Sequence, residues 1–196
     1  MLGFSPKRLK NRPQMQVSID NHAQPLKMLL FIRYAWLLSE ELNLPELSPV
    51  PAIGTSALPN TENKQVWENR WKQEWYRTWE WYDFRESQRA PVSQEEMFRV
   101  SRPRQPLQPV VPPFWMMEYG TAGIDRVAFF EWDRLTTALK ANPYPRLPLL
   151  EAWRRGIRNI TVLPYSGYVA ERRNANHLVV SENTMKDDAQ FSKALG

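Results

Sequence analysis

Between Tyr165 and His177 the chain gathers Tyr165, Ser166, Tyr168, Glu171, Arg172, Arg173, Asn174, Asn176 and His177. Two adjacent arginines can hold a carboxylate or phosphate through forked N–H pairs. A histidine can trade protons near neutral pH. These residue types point to anion contact. The plainer alternative is a solvated turn at Arg-Arg-Asn-Ala-Asn, with His177 bonded to backbone. Spacing gives His177 no partner, so no catalytic residue is assigned and an enzyme is not the expected class.

Other basic residues extend the anion-contact set. Arg154, Arg155 and Arg158 precede the cluster, and Lys7, Arg8, Lys10 and Arg12 crowd the start of the chain. Those first four account for most of the formal net charge of +5. A folded face carrying Arg154, Arg155, Arg158, Arg172, Arg173 and His177, with the basic arm beside it, would suit the phosphates of nucleic acid.

Most other chemistries are poorly provided for. There are 0 cysteines, which removes disulfides, thiolate catalysis and thiolate metal sites. With 2 histidines, a three-histidine metal centre is impossible within one chain. The carboxylates Glu118, Asp125, Glu131 and Asp133 are close in sequence, but Asp125-Arg126 and Asp133-Arg134 read as surface pairs. No phosphate loop, dinucleotide fingerprint, His-Glu-x-x-His or Gly-x-Ser-x-Gly occurs. No metal and no cofactor is expected.

Trp67, Trp71, Trp75 and Trp79 recur every four residues and so share one helix face. That stripe suits an aromatic core. It also suits a protein interface, or a platform for bases, sugars or a cation.

The elements that must position these groups give an α+β reading. Two long helices come first, over residues 25–42 and 62–87, the second rich in tryptophan. Pro25 fits the first helical position, and the first helix is apolar nearly all round, as in a core. Met15, Val17 and Ile19 alternate and could form an edge strand. A proline-rich connector spans 90–113, where an extended conformation is expected. Beyond it come a strand at 114–119, a helix from Trp132 or Asp133 to Lys140 with Leu135 inward, and a helix at 149–157. A strand–turn–strand is expected around Pro164-Tyr165-Ser166-Gly167, then a strand at 177–181 and a last helix ending at Leu195. The predicted sheet is small and mostly antiparallel. Residues 1–24 are expected as a basic arm and 25–196 as a single α+β domain.

No secretory signal is evident. The longest apolar stretch, Met28 to Leu38, holds 11 residues including Arg33, short of the roughly 20 that span a bilayer. The expectation is a soluble, cytoplasmic, non-enzymatic protein acting through another protein or through self-association, without a membrane partner. The alternative is nucleic-acid binding through the arm and the 146–173 arginines.

Overall fold

A computed structural model describes residues 15–38, 42–88, 106–113, 115–116, 123–137 and 146–196. The strands are β1 (Ser18–Asp20), β2 (Asn159–Leu163), β3 (Ala170–Arg172) and β4 (His177–Ser181). The helices are α1 (Gln24–Ala35), α2 (Lys64–Gln88), α3 (Arg126–Thr137), α4 (Arg146–Arg154), α5 (Glu182–Lys186) and α6 (Asp188–Ala194).

The sheet runs in the order β1-β2-β4-β3. β1 pairs parallel with β2, β2 parallel with β4, and only β3 with β4 is antiparallel. The fold is therefore α+β with N-terminal helices, but the expected mostly antiparallel sheet is corrected to a mostly parallel one. The expected β2-turn-β3 pairing does not form, because β4 lies between them. The hairpin is instead β3–β4, closed after Arg172 by a bend over Asn174 to Asn176. The cause is burial. Every residue of β2 and of β4 is buried, and strands covered on both faces favour the centre of a parallel arrangement. β1, inside the expected arm, then completes one edge.

Side chains of successive strand residues point to opposite faces, and the two faces pack against different helices. Leu163 and Val179 join the large cluster formed with α1, α2 and α3. Ile160, Val162, Leu178 and Val180 pack with Ala152 of α4, Met185 of α5 and Phe191 of α6. The result is three layers, with the sheet between two helical ones.

The tryptophan helix is what its period foretold, and its stripe is interior. Trp67, Trp71, Trp75 and Trp79 are only 1–5 % exposed. Trp71 donates its indole N–H to the Leu29 carbonyl at 2.7 Å and stacks on Trp75 with ring centroids 5.4 Å apart. Trp67 donates to Pro59 at 3.2 Å and Trp36 to Gly123 at 2.7 Å. These three buried indoles thus find acceptors, whereas that of Trp115 is buried without one among the described residues. As placed, the stripe bonds α2 to α1 and to the strap after it. As placed, its four rings are buried.

Several boundaries move. α1 ends at Ala35, and Leu37 then adopts φ +51°, a left-handed conformation that stops the helix short of residue 42. Asn63 caps α2, accepting the Val66 N–H at 3.0 Å. Trp115 and Met116, expected in a strand, are helical. α3 starts at Arg126, capped by Asp125, whose carboxylate accepts the Ala128 N–H at 3.1 Å. Its inner face is Phe129 and Trp132, while Leu135, expected inward, is exposed. Of the proline-rich connector, residues 90–105 lie outside the described residues, as do 1–14 of the arm.

Candidate functional site

The polar cluster is divided by strand alternation. Arg172 and Arg173 are neighbours in sequence but point apart, so they cannot form one grip. Arg173 turns inward toward α2. Its Nη2 meets Asp83 Oδ2 at 2.9 Å and its Nη1 meets Glu171 at 2.8 Å. Its guanidinium also lies 4.6 Å from the Trp79 ring centroid. Asp83, one turn beyond Trp79 on α2, is the partner that sequence reasoning missed.

His177 stands beside this pair and is fully buried. Its Nδ1 is 3.5 Å from Asp83 Oδ1, and its Nε2 shares a 2.9 Å hydrogen bond with the Thr161 hydroxyl. A carboxylate, an imidazole and a hydroxyl in that sequence have the connectivity of a catalytic relay. The surroundings differ from those of a relay, because Thr161 is 1 % exposed and lies between sheet and helix. As placed, its hydroxyl reaches no substrate. Burial pushes the Asp83 carboxyl up, but the close His177 imidazole and the hydrogen bond and charge of Arg173 outweigh it, leaving Asp83 below the usual range. The cluster is a polar lock between α2 and the sheet.

Arg172 turns outward. It donates to the carbonyls of Asn174, Ala175 and Arg155 at 2.7–3.3 Å. Arg155 donates to Leu195 O at 2.8 Å, and Arg158 to Trp153 O at 2.6 Å and to Ile157 O at 2.9 Å. Arg158 also covers the Trp153 ring at 5.1 Å. These arginines cluster where β2 and β4 begin, and they cap the last carbonyls of α4 and α6, a favoured place for cations. Arg154 beside them is exposed. Lys7, Arg8, Lys10 and Arg12 fall outside the described residues.

A second buried polar group joins the other helices. Lys27 on α1 is fully buried, with its Nζ 3.2 Å from Asp133 of α3 and bonded to the Thr137 hydroxyl. Burial lowers its pKa, and the Asp133 charge opposes that. Asp133 accepts from Gln24 at 3.0 Å, and Asn21 donates to Thr137 O at 2.7 Å. Asp125 and Asp133 are therefore a helix cap and an ion-pair partner. Glu118 is outside the described residues. No group of three or more metal-binding side chains exists among those described.

A further concave surface lies elsewhere among the described residues. A cleft of about 630 Å³ runs between the end of α1 and the strap after it. Its walls include Arg33, Tyr34, Leu44, Pro45, Leu47 and Val50. Tyr34 is 39 % exposed, Val50 63 %, and Leu37, bonded to the Tyr34 carbonyl, 77 %. Arg33 Nε is buried without a hydrogen-bond partner among the described residues. A buried donor without an acceptor is uncommon and needs a reason. The sequence signal was there, as a lone arginine in an otherwise apolar run. Behind it, burial first and the Glu171 charge second raise the Tyr165 hydroxyl well above its usual range.

The chain matches no protein-family model, no curated protein and no solved structure. Among the described residues no helix is long and apolar enough to cross a membrane.

Proposed function

We propose that this is a soluble, cytoplasmic, non-enzymatic binding protein that works by holding a segment of another protein, or of a second copy, in the cleft between Arg33 and Val50. The observation that carries the reading is the Arg33 guanidinium, whose buried Nε lacks an acceptor among the described residues and which lines a cleft of mixed character, with Leu44, Pro45, Leu47 and Val50 beside Asn43 and Glu46. A carboxylate or carbonyl with apolar neighbours would supply the acceptor and cover Tyr34, Leu37 and Val50. Arginine and tyrosine at such a centre are the types that dominate interface energetics.

Two measurements test it together. Random peptides displayed and selected against the immobilised chain should enrich an acidic residue flanked by apolar ones. Arg33→Gln and Val50→Asp should each abolish that enrichment while leaving the melting curve in place. Light scattering across a concentration series reads self-association, which Val50→Asp should also remove. A strict monomer that enriches no peptide would overturn the reading.

A further inference from the structure

Away from the Arg33 cleft, a cavity of about 410 Å³ opens between the turn that enters β3 and the helix pair α5–α6. Its walls are Gly167, Tyr168, Asn183, Lys186, Asp187 and Gln190. That size falls within the range of small-molecule sites, about 300–1,000 Å³.

The local sequence fixes these walls. Ser181 ends β4 and caps α5, its Oγ accepting the Thr184 N–H at 3.1 Å. The same hydroxyl donates to the Gly167 carbonyl at 2.6 Å, and Thr184 Oγ1 accepts the Val169 N–H at 2.9 Å. Asp187 then caps α6 by accepting the Gln190 N–H at 2.9 Å. Consecutive caps thus hold both helices, and the first also grips the turn. Gly167 has φ +68°, a conformation that favours glycine, and an added Cβ there would meet nothing within 4 Å.

The lining is polar apart from one aromatic ring. No branched aliphatic residue stands among the six. Tyr168 is 42 % exposed, and the Lys193 ammonium lies 4.7 Å from its ring centroid. Gln190 Oε1 is buried without a hydrogen-bond partner among the described residues, and χ3 of glutamine is a soft torsion that lets the amide turn to meet one. The Asn183 side chain and the Tyr168 hydroxyl make no bond among the described residues. Asp187 bonds through Oδ1 alone, and Lys186, paired with Glu182, retains further N–H donors. Donors and acceptors therefore stand side by side, and the formal charges of Lys186 and Asp187 cancel. A lipid would find no aliphatic wall, and a polyphosphate would meet the Asp187 carboxylate. A hydroxyl, being donor and acceptor at once, suits every one of these groups.

We propose that this cavity binds a pyranose unit of a carbohydrate, its C–H face against the Tyr168 ring and its hydroxyls on Asn183, Asp187 and Gln190. The inference is independent of the Arg33 cleft.

The test is saturation-transfer NMR of the full chain with the methyl pyranosides of glucose, galactose, mannose and N-acetylglucosamine, each at millimolar concentration. At least one should receive saturation, strongest at ring C–H protons. Tyr168→Ala should weaken its binding about tenfold. Gln190→Leu should weaken it by a similar factor yet melt no lower than the parent, because it removes a buried acceptor that has no partner. Tyr76→Ala, which removes an exposed ring from α2, should leave binding unchanged. Saturation of none of the four sugars would overturn the proposal. So would binding that survives both Tyr168→Ala and Gln190→Leu, which would place the sugar elsewhere. Adenosine monophosphate that displaces the sugar at lower concentration would overturn it in favour of a nucleotide.

Discussion

Asp83 is where the buried polar chemistry of this protein can be interrogated one side chain at a time. Asp83→Asn keeps the shape but removes the charge facing Arg173 and the contact to His177. Both partners of the ion pair are about 30 % exposed, so solvent moderates the loss to about 1–2 kcal/mol, read by urea denaturation. The carboxyl is held below its ordinary 3.8. Its contribution is therefore complete above that value and is lost as pH falls through the folded value. The difference between wild type and Asp83→Asn should be flat from about pH 7 to 5 and collapse below about 4. Lys27 is a more severe case, being fully buried with Asp133 at 14 % exposure. Lys27→Met leaves that carboxylate without its cation and should cost about 3 kcal/mol. Adding Asp133→Asn should restore part of the loss. A strictly additive double variant would show that the two side chains are not coupled.

At the scale of elements, helix contacts rest on specific polar atoms set in apolar faces. Trp71→Phe deletes the donor to Leu29 and leaves space beside Trp75, so α1 and α2 should separate more readily, by about 2 kcal/mol in urea. Gly54 has φ +57°, and an added Cβ would fall 2.3 Å from Asp125 Oδ2. Gly54→Ala must therefore strain the strap or displace the cap of α3, at about 1–3 kcal/mol. A neutral Gly54→Ala would mean that the strap moves freely. The legible elements were those with a long internal period. The tryptophan spacing announced α2, the apolar run announced α1, and the Val-rich stretch announced β4. What could not be read was pairing. Tyr168 to Arg172 and Ile160 to Leu163 flank a turn sequence, and nothing local tells the chain that β4 will come between them. The polar site failed for the same reason. Arg173 and His177 were visible, but Asp83 and Thr161 reach them only through tertiary packing. Strand alternation, in turn, separates Arg172 from Arg173 although they are adjacent in sequence.

Across the whole molecule the decisive feature is that β2 and β4 belong to both cores. Leu163 and Val179 face α1, α2 and α3, while Val162 and Val180 face α4, α5 and α6. Neither helical layer can leave without stripping one face of the same two strands, which ties the layers into one cooperative transition. The tryptophans make this testable. Trp36, Trp67, Trp71, Trp75, Trp79, Trp115 and Trp132 all sit in the first core, and the second core contains no tryptophan. Fluorescence therefore reports chiefly on one side of the sheet, whereas far-ultraviolet circular dichroism reports on both. Phe191, fully buried in the second core, is the place to perturb. Phe191→Ala should destabilise by about 3–5 kcal/mol. The fluorescence midpoint should move as far as the dichroism midpoint, although no tryptophan lies in the altered core. If dichroism shifts and fluorescence does not, the layers unfold separately. The cavity beside Tyr168 would then belong to a unit able to act without the tryptophan helices.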